Sequence, residues 1–237
     1  MKYIASCSCG KDSLAMVLTL IEKEYPLDHV VFVDLGKEFK SIYKIWDKLT
    51  LVLDDAGIKH KRLQLSKSFD YYFSEHNINT KDGSIKTGYG WCGHRCRWGT
   101  TFKGQLLNNF YKATYGDEPI CEYVGIAADE LDRAKIQRGK NIKCYPLIYW
   151  NMNENDCLTK CYKNGYTYEE DNGIQLYQVL DRVSCYCCAN KNLKELKTIH
   201  DYLPEYWQEL KNMQDKINIP FRQDESVHDL EIRFKNK

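Results

Sequence analysis

The sequence predicts an α/β fold: a parallel twisted sheet with helices on both faces, followed by a cysteine-containing C-terminal helical segment. Strand-like and helix-like stretches alternate through the first part of the chain, which is typical of a parallel sheet with right-handed crossovers. The run His29–Asp34 is almost entirely apolar, as expected of a strand buried on both faces. From Leu193 onwards the apolar residues recur at helical spacing.

The individual elements follow from local patterns. Glycines without apolar periodicity predict a loop over Asn77–Gly90, and a basic, polar run predicts a surface loop over Arg133–Lys143. No stretch marks a sharp linker, so we expect an α/β domain over residues 1–180 with the segment 181–237 packed on it. The predicted strands are Tyr3–Ala5, His29–Asp34, Arg62–Leu65 and Glu122–Ala127. The predicted helices are Ser13–Glu24, Ile42–Ala56, Thr100–Tyr115, Asn153–Asn164 and those after Leu193.

Composition limits the class of protein. A length of 237 residues with 43% hydrophobic residues suits one large domain, or one domain with an appendage. The net charge of +1 gives no global attraction to nucleic acid. No apolar run approaches the length of a membrane span, and the N-terminus is strand-like rather than a signal peptide, so a cytoplasmic protein is expected. In that compartment eleven cysteines indicate metal or redox chemistry rather than disulfides.

The most informative segment is Ser6–Ser13, between the first predicted strand and the first helix. Free backbone N–H groups and the helix dipole bind phosphate at such a position. Ser8, Gly10 and Ser13 can approach or contact an anion, and Lys11 supplies a positive charge. An ordinary strand-to-helix turn is the alternative, but motif and context together favour phosphate binding.

The segment is not a Walker A loop, because Asp12 follows the lysine and Ala5 occupies the position of the first glycine. It resembles the S-G-G-K-D-S pyrophosphate loop of the PP-loop ATP pyrophosphatase and sulfonucleotide reductase superfamily. Cys9 stands where the first glycine of that loop is usual.

Three further segments extend the resemblance. Val33–Phe39 places an acid and a glycine at the end of a strand, which suits a ribose or adenine, although a plain strand-to-helix turn is the alternative. Gly125–Arg133 resembles G-I-R-x-D-E-x-x-R, with Ala127 where arginine is common; a solvated loop of charges is the alternative. Tyr145–Trp150 matches Y-P-L-x-x-W. The chain thus resembles the PAPS reductase-like family of the adenine nucleotide alpha hydrolase superfamily, which implies a Rossmann-like fold.

The resemblance and the chemistry of these residues predict a site. ATP or a related adenine nucleotide is the expected ligand, with magnesium held by Asp129 and Glu130. The predicted catalytic residues are Lys11, Asp12, Asp129 and Arg133. The predicted nucleotide-binding residues are Ser6, Ser8, Cys9, Gly10, Lys11, Asp12, Ser13, Asp34, Gly36, Glu38, Gly125 and Ile126.

Two cysteine blocks predict a metal centre. Cys92 and Cys96 form the first, and Cys185, Cys187 and Cys188 form the second. Two thiolates from each block suit an iron–sulfur cluster or a tetrahedral zinc ion, and cluster-bearing members of the superfamily favour iron–sulfur. The C-x-x-C spacing favours Cys185 and Cys188, with Cys187 as the alternative ligand or a free, sulfur-carrying thiol. Burial as small hydrophobic residues is the competing interpretation.

The remaining cysteines are expected to have other roles. Cys121 and Cys144 are predicted to lie in the core, and Cys157 and Cys161, four residues apart on a helix, to pack there. For Cys7 and Cys9 a redox role rests on position alone. His94 is a candidate ligand that fits a loop residue better. The cationic residues near the first block are Arg95, Arg97 and Lys103, and the resemblance implies that Arg97 and Lys103 bind the anionic group of the substrate.

Three functions compete. In sulfonucleotide reduction a thiolate attacks the sulfur of adenylyl sulfate or its phosphorylated form and sulfite is released, but that route uses a C-terminal E-C-G-I/L-H cysteine and no cysteine follows Cys188 here. In the favoured route ATP is cleaved to AMP and pyrophosphate, which activates a substrate for sulfur transfer. The third is a non-catalytic, zinc-stabilised nucleotide-binding subunit of a modification or defence complex. The expected protein partner is a sulfur donor or a redox protein, and no association with a membrane is expected. The acceptor substrate (tRNA, DNA, sulfonucleotide or metabolite) and the oligomeric state stay open.

Overall fold

The computed structural model describes residues 1–93, 96–134 and 141–236. Its packing divides the chain into two compact units. The first unit comprises Met1–Asp34, Lys40–Gln64 and Gln105–Asp171, and the second comprises Leu35–Phe39, Leu65–Gly104 and Asn172–Lys237. Residues 65–104 group with the C-terminal helices rather than with the sheet. The predicted boundary at residue 180 stays a prediction.

The elements alternate as the sequence predicts in the first part of the chain. The strands are β1 (Lys2–Ser6), β2 (His29–Asp34), β3 (Lys59–Gln64), β4 (Asn77–Asn79), β5 (Ile85–Thr87), β6 (Ile120–Val124) and β7 (Ile142–Cys144). The helices are α1 (Lys11–Glu22), α2 (Lys40–Asp55), α3 (Phe69–Ser74), α4 (Lys103–Tyr115), α5 (Pro146–Tyr149), α6 (Glu154–Lys163), α7 (Leu176–Val179), α8 (Leu193–Tyr202), α9 (Pro204–Gln214) and α10 (Val227–Lys235). A π-helical turn, Trp98–Phe102, precedes α4, and a 3₁₀ turn, Ala128–Arg133, follows β6.

The first unit is built on a five-stranded sheet in the order β3-β2-β1-β6-β7. All four strand pairings are parallel, which confirms the predicted α/β class. All six residues of β2 are buried, as its apolar sequence predicts. The strand order reverses at β1, between β2 and β6. In parallel sheets ligands bind beyond the carboxyl ends of the strands at such a reversal, so the loop after β1 lies where a ligand is expected.

The start of α6 is fixed by its own sequence. The side chain of Asn153 accepts a hydrogen bond from the backbone N–H of Asp156, and the Asp156 carboxylate accepts one from the N–H of Asn153. This capping box satisfies two free donors at the end of the helix. It sets Glu154 as the first helical residue of α6.

The second unit corrects one prediction. Asn77–Gly90 is not a plain loop, because β4 and β5 pair in an antiparallel hairpin. Both strands are short and mostly exposed, so they carry no apolar periodicity that could have predicted them. The available signal was the Asp82–Gly83 turn. There the Asp82 carboxylate accepts hydrogen bonds from Thr80 and from the Ser84 backbone, which lowers the pKa of Asp82 to about 2.

No helix in the described part of the chain is both long enough and apolar enough to cross a membrane.

Candidate functional site

The segment between β1 and α1 forms a tight loop closed on Ser13. The Ser8 backbone N–H donates to Ser13 Oγ at 3.1 Å, and the two serine hydroxyls lie 3.1 Å apart. Ser13 Oγ in turn donates to the carbonyl of Gly10 at 3.2 Å. Among the described residues no side chain caps the N-terminus of α1, where Gly10 is the N-cap. The positive end of the helix dipole is therefore available to an anion at this loop.

Cys9 occupies a backbone conformation that glycine normally adopts. Its φ is +60°, in the left-handed region, and its side chain is fully buried. A non-glycine residue pays about 1 kcal/mol or more for this conformation. Glycine adopts this conformation without a steric penalty, which fits the glycine that is usual at this position of the resembled loop.

Cys7 lies beneath the same loop. Its sulfur is 4.0 Å from Cys9 Sγ and 3.9 Å from Ser13 Oγ. The side-chain hydrogen bond with Cys9 is the largest influence on this thiol, and it holds the pKa of Cys7 below its ordinary value in spite of burial.

Lys11 is the buried cation of the loop, with 8% of its surface exposed. Its Nζ lies 2.6 Å from Glu154 Oε2 and 3.4 Å from Asp12 Oδ2. Burial is the largest single influence and lowers the pKa of Lys11, but the two carboxylates outweigh it and raise the pKa above its ordinary value. Lys11 is therefore positively charged at neutral pH.

Glu154 was not predicted as a site residue. It is distant from Lys11 in the sequence, and its acidic side chain at a helix start is ordinary. The signal that could have found it is the capping box that follows the Y-P-L-x-x-W segment, which fixes the first residue of α6.

Asp12 has an acceptor without a partner. Its Oδ1 atom is buried and receives no hydrogen bond from the described residues. Burial raises the pKa of Asp12, and the nearby Lys11 opposes this shift only in part. A buried acceptor left unsatisfied in a phosphate-loop segment is consistent with a group that gains its partner on ligand binding.

Gly125 packs directly on the N-terminal turn of α1. A Cβ atom at this position would lie 2.7 Å from Ser13 Cα and 2.8 Å from the Ser13 backbone nitrogen. Only glycine permits that approach. The structure thus brings the predicted residue Gly125, which directly follows β6, beside the N-terminal turn of α1. The predicted residue Ile126 is next in the chain and lies in the same unit.

Asp129, Glu130 and Arg133 have partners within the first unit. The Asp129 carboxylate accepts the backbone N–H of Glu154 at 3.2 Å, so it supports the start of α6. Arg133 Nη1 donates to Glu130 at 2.6 Å. Asp129 therefore acts on the same helix that presents Glu154 to Lys11.

Asp34 closes a buried network at the carboxyl end of β2. Its carboxylate is 1% exposed and accepts hydrogen bonds from Arg62 Nη2 at 2.7 Å, Tyr43 OH at 3.0 Å and Gln64 Nε2 at 3.2 Å. These donors come from β3 and α2. The ribose role of Asp34 stays a prediction, and the structure shows a carboxylate that orders the edge of the sheet.

Cys157 and Cys161 are fully buried on α6, as predicted. Cys161 also contacts the phosphate-loop helix, since its thiol donates to the carbonyl of Lys11 at 3.3 Å and accepts from Tyr168 OH at 3.6 Å. The spacing of the two cysteines predicted their packing but not this contact with α1.

In the second unit the predicted ligands lie in two separate turns. Cys96 Sγ accepts the backbone N–H of Gly99 at 3.4 Å. The Cys188 backbone N–H donates to the carbonyl of Cys185 at 3.1 Å, and the Cys185 thiol donates to Glu38 Oε1 at 3.5 Å. Burial raises the pKa of Cys92, Cys185 and Cys187.

Among the described residues, no three cysteine, histidine, aspartate or glutamate side chains are grouped so that they could hold a metal ion. The four-cysteine centre and the magnesium site at Asp129 and Glu130 therefore stay predictions.

The predicted anion-binding cations have partners in the second unit. Lys103 Nζ lies 2.9 Å from Glu38 Oε1, and the Arg97 guanidinium stacks 4.6 Å from the centre of the Tyr89 ring.

The predicted nucleotide-binding residue Gly36 adopts a φ of +84°. His94, Arg95 and residues 135–140 of the predicted basic loop lie outside the described residues.

Substitution of Gly125 by alanine is expected to damage the phosphate loop. The added methyl group cannot fit against the Ser13 backbone, and overpacking of this kind typically costs about 1–3 kcal/mol. We expect a lower Tm and at least about tenfold weaker ATP binding by calorimetry. Gly104→Ala is the control, because a Cβ there meets no atom within 4 Å. Wild-type ATP affinity in Gly125→Ala would contradict this placement.

A family match includes the phosphate-loop segment Ser6–Ser13. Residues 2–85 match the model of the phosphoadenosine phosphosulfate reductase domain family. An uncharacterized protein of Methanocaldococcus jannaschii is 28% identical over 223 residues, covering 87% of this chain and 40% of that protein. The chain thus spans 40% of the length of this relative.

Among solved structures, the chain is similar to the U34-tRNA thiolase NcsA from Methanococcus maripaludis with its 4Fe–4S cluster. The TM-score is 0.45 at 14% identity, and the likeness covers 100% of this chain and 71% of that one. The match to the phosphoadenosine phosphosulfate reductase domain family covers residues 2–85, which include the strand, loop and helix that form the phosphate loop.

Proposed function

We propose that this protein is a PP-loop enzyme that binds ATP at Ser6–Ser13 and cleaves it to AMP and pyrophosphate, activating a substrate for sulfur transfer. One observation supports this most strongly. A buried lysine held in its charged form, Lys11, lies at a helix N-terminus that no described side chain caps, inside the matched family domain. That combination suits a polyphosphate better than a neutral ligand.

The contacts of Lys11 explain how the site would respond to ATP. Without ligand, Lys11 is paired with Glu154, whose side chain is 41% exposed. A phosphate arriving at the loop competes for the lysine and leaves Glu154 to pair with water. The exchange keeps Lys11 in an ion pair throughout, so the buried ammonium is never left uncompensated.

Two further features support phosphate binding. The left-handed Cys9 stores backbone strain in the loop, and such strain clusters at functional sites. Arg133, whose side chain is 64% exposed and paired with Glu130, supplies a guanidinium that can bind an anion bidentately. In this proposal Lys11 and the α1 N-terminus bind phosphate, and Arg133 contacts the departing pyrophosphate.

The cysteine turns of the second unit are proposed to hold the metal centre of the sulfur-transfer step, through Cys92, Cys96, Cys185 and Cys188. Thiolates are the ligands that iron–sulfur clusters and structural zinc prefer. Because a metal held by both cysteine blocks would join segments distant in the sequence, loading should stabilise this unit.

We expect protein purified without oxygen to contain stoichiometric iron, or zinc if the centre is structural. A Cys92→Ser, Cys188→Ser variant should lose that metal, because two of the four ligands are removed. Metal analysis and the visible absorption spectrum measure both quantities. Cys157→Ser is the matched control, since that buried thiol lies in the first unit. Full metal content in the double variant would contradict a shared site.

Sulfonucleotide reduction remains the second candidate, favoured by the description of the matched family domain. The deciding experiment measures two sets of products. With ATP and magnesium the proposal predicts AMP and pyrophosphate, stimulated by the acceptor substrate. With adenylyl sulfate or its phosphorylated form, a reductase releases sulfite. Sulfite release without pyrophosphate formation would replace the proposed function with sulfonucleotide reduction. Absence of both sulfite and pyrophosphate would favour a non-catalytic binding subunit.

A further inference from the structure

Two cysteines outside the candidate site are in direct contact. Cys121, in β6, and Cys144, at the end of β7, have sulfur atoms 2.8 Å apart. The two strands are neighbours in the parallel sheet, where Tyr123 is the register partner of Cys144. The thiols therefore meet diagonally across one strand pair, and both belong to the first unit.

We propose that Cys121 and Cys144 are a modification site that forms a reversible disulfide with a low-molecular-weight disulfide as oxidant. A disulfide bond is about 2.05 Å long, so the sulfur atoms need to approach by less than 1 Å. The inference does not depend on the proposed function, because neither cysteine belongs to the phosphate loop or to the predicted metal centre.

Exposure sets the order of the steps. Cys144 is partly exposed, whereas Cys121 is 5% exposed. The Cys144 thiolate attacks one sulfur of oxidised glutathione, releases one glutathione thiol and forms a mixed disulfide. Cys121 then loses its proton to solvent and attacks the Cys144 sulfur, releasing the second glutathione. Two protein thiols are oxidised and one glutathione disulfide is reduced to two thiols.

The environment of Cys121 favours a slow second step. Burial raises the pKa of Cys121 to about 12, so little thiolate is present at neutral pH. Contact between the sulfurs compensates, because the attacking atom is already beside its target. The mixed disulfide at Cys144 should therefore be detectable before the internal bond.

The bond would anchor the weakest strand of the sheet. β7 has three residues, lies at the sheet edge and pairs with β6 alone among the described strands. β6 continues into Gly125, which packs on Ser13 of the phosphate loop. Oxidation is therefore expected to stabilise the side of the sheet that supports this loop.

The test uses the full chain equilibrated in glutathione buffers of increasing oxidised fraction. Free thiols are then alkylated and the peptides are mapped by mass spectrometry. We expect a linked Cys121–Cys144 peptide that dithiothreitol removes, and a rise in Tm of roughly 5 °C or more. Cys144→Ser should show neither the peptide nor the rise.

Two results would overturn the proposal. One is full alkylation of both cysteines in wild-type protein at every glutathione ratio. The other is an equal rise in Tm for oxidised Cys144→Ser, which would assign the stabilisation to another cysteine pair. Peptide mapping needs only wild-type protein, so the test stands even if the variant folds poorly.

Discussion

Replacement of Lys11 by alanine is expected to weaken ATP binding by about 10- to 100-fold while the first unit stays folded. Charge-assisted hydrogen bonds contribute about 1.5–3 kcal/mol, and each 1.4 kcal/mol corresponds to about a factor of ten in affinity. Alanine is a good helix former at the start of α1. Both carboxylates that lose Lys11 can be solvated, because the Glu154 side chain is 41% exposed and the Asp12 side chain is 22% exposed. The fold therefore loses little stability.

The partner variant separates binding from simple disruption. Glu154→Gln removes the carboxylate that competes with phosphate for Lys11, so its ATP affinity should equal or exceed that of wild type. Lys160→Ala is the control, because Lys160 pairs with Glu22 at the other end of α1. Isothermal calorimetry measures all three. Unchanged affinity in Lys11→Ala, or an equal loss in Lys160→Ala, would contradict the assignment of the phosphate loop.

The sequence predicted the parts of this fold that depend on local patterns. The apolar run of β2 identified a buried strand, and the small residues before α1 identified the loop, because helix starts and buried strands have strong local signals. Cys9 shows the limit of this reasoning. The motif identified Cys9 as the residue at the usual position of the first glycine. Its left-handed backbone conformation was visible only in the structure.

What the sequence could not predict depends on contacts between distant residues. The Lys11–Glu154 ion pair joins the starts of α1 and α6. Nothing in the sequence around either residue indicates that the other is its partner. The short, exposed strands of the β4–β5 hairpin had no periodicity to read. Similarly, C-x-x-C spacing predicts that Cys185 and Cys188 share a turn, but it cannot predict whether that turn meets Cys92 and Cys96.

The same limit applies to the prediction for Asp34. Its position after a buried strand indicated a ligand contact. In the structure the Asp34 carboxylate accepts hydrogen bonds from side chains of β3 and α2. Asp34→Ala is expected to lower the free energy of unfolding by about 2–4 kcal/mol, because loss of one member of a buried charged network leaves the others unpaired. The partial exposure of Arg62 keeps the effect below that of a fully buried pair.

Chemical denaturation measures this effect, with two variants for comparison. Asp34→Asn retains one carbonyl acceptor of the same shape and should lose less stability than Asp34→Ala. Asp171→Asn removes an exposed carboxylate that pairs with Lys40 and Lys44 and should change stability little, because exposed ion pairs contribute weakly. Equal stability of Asp34→Ala and Asp171→Asn would contradict a structural role. A stable Asp34→Ala protein with weakened ATP binding would instead support the ribose contact that the sequence predicts for Asp34.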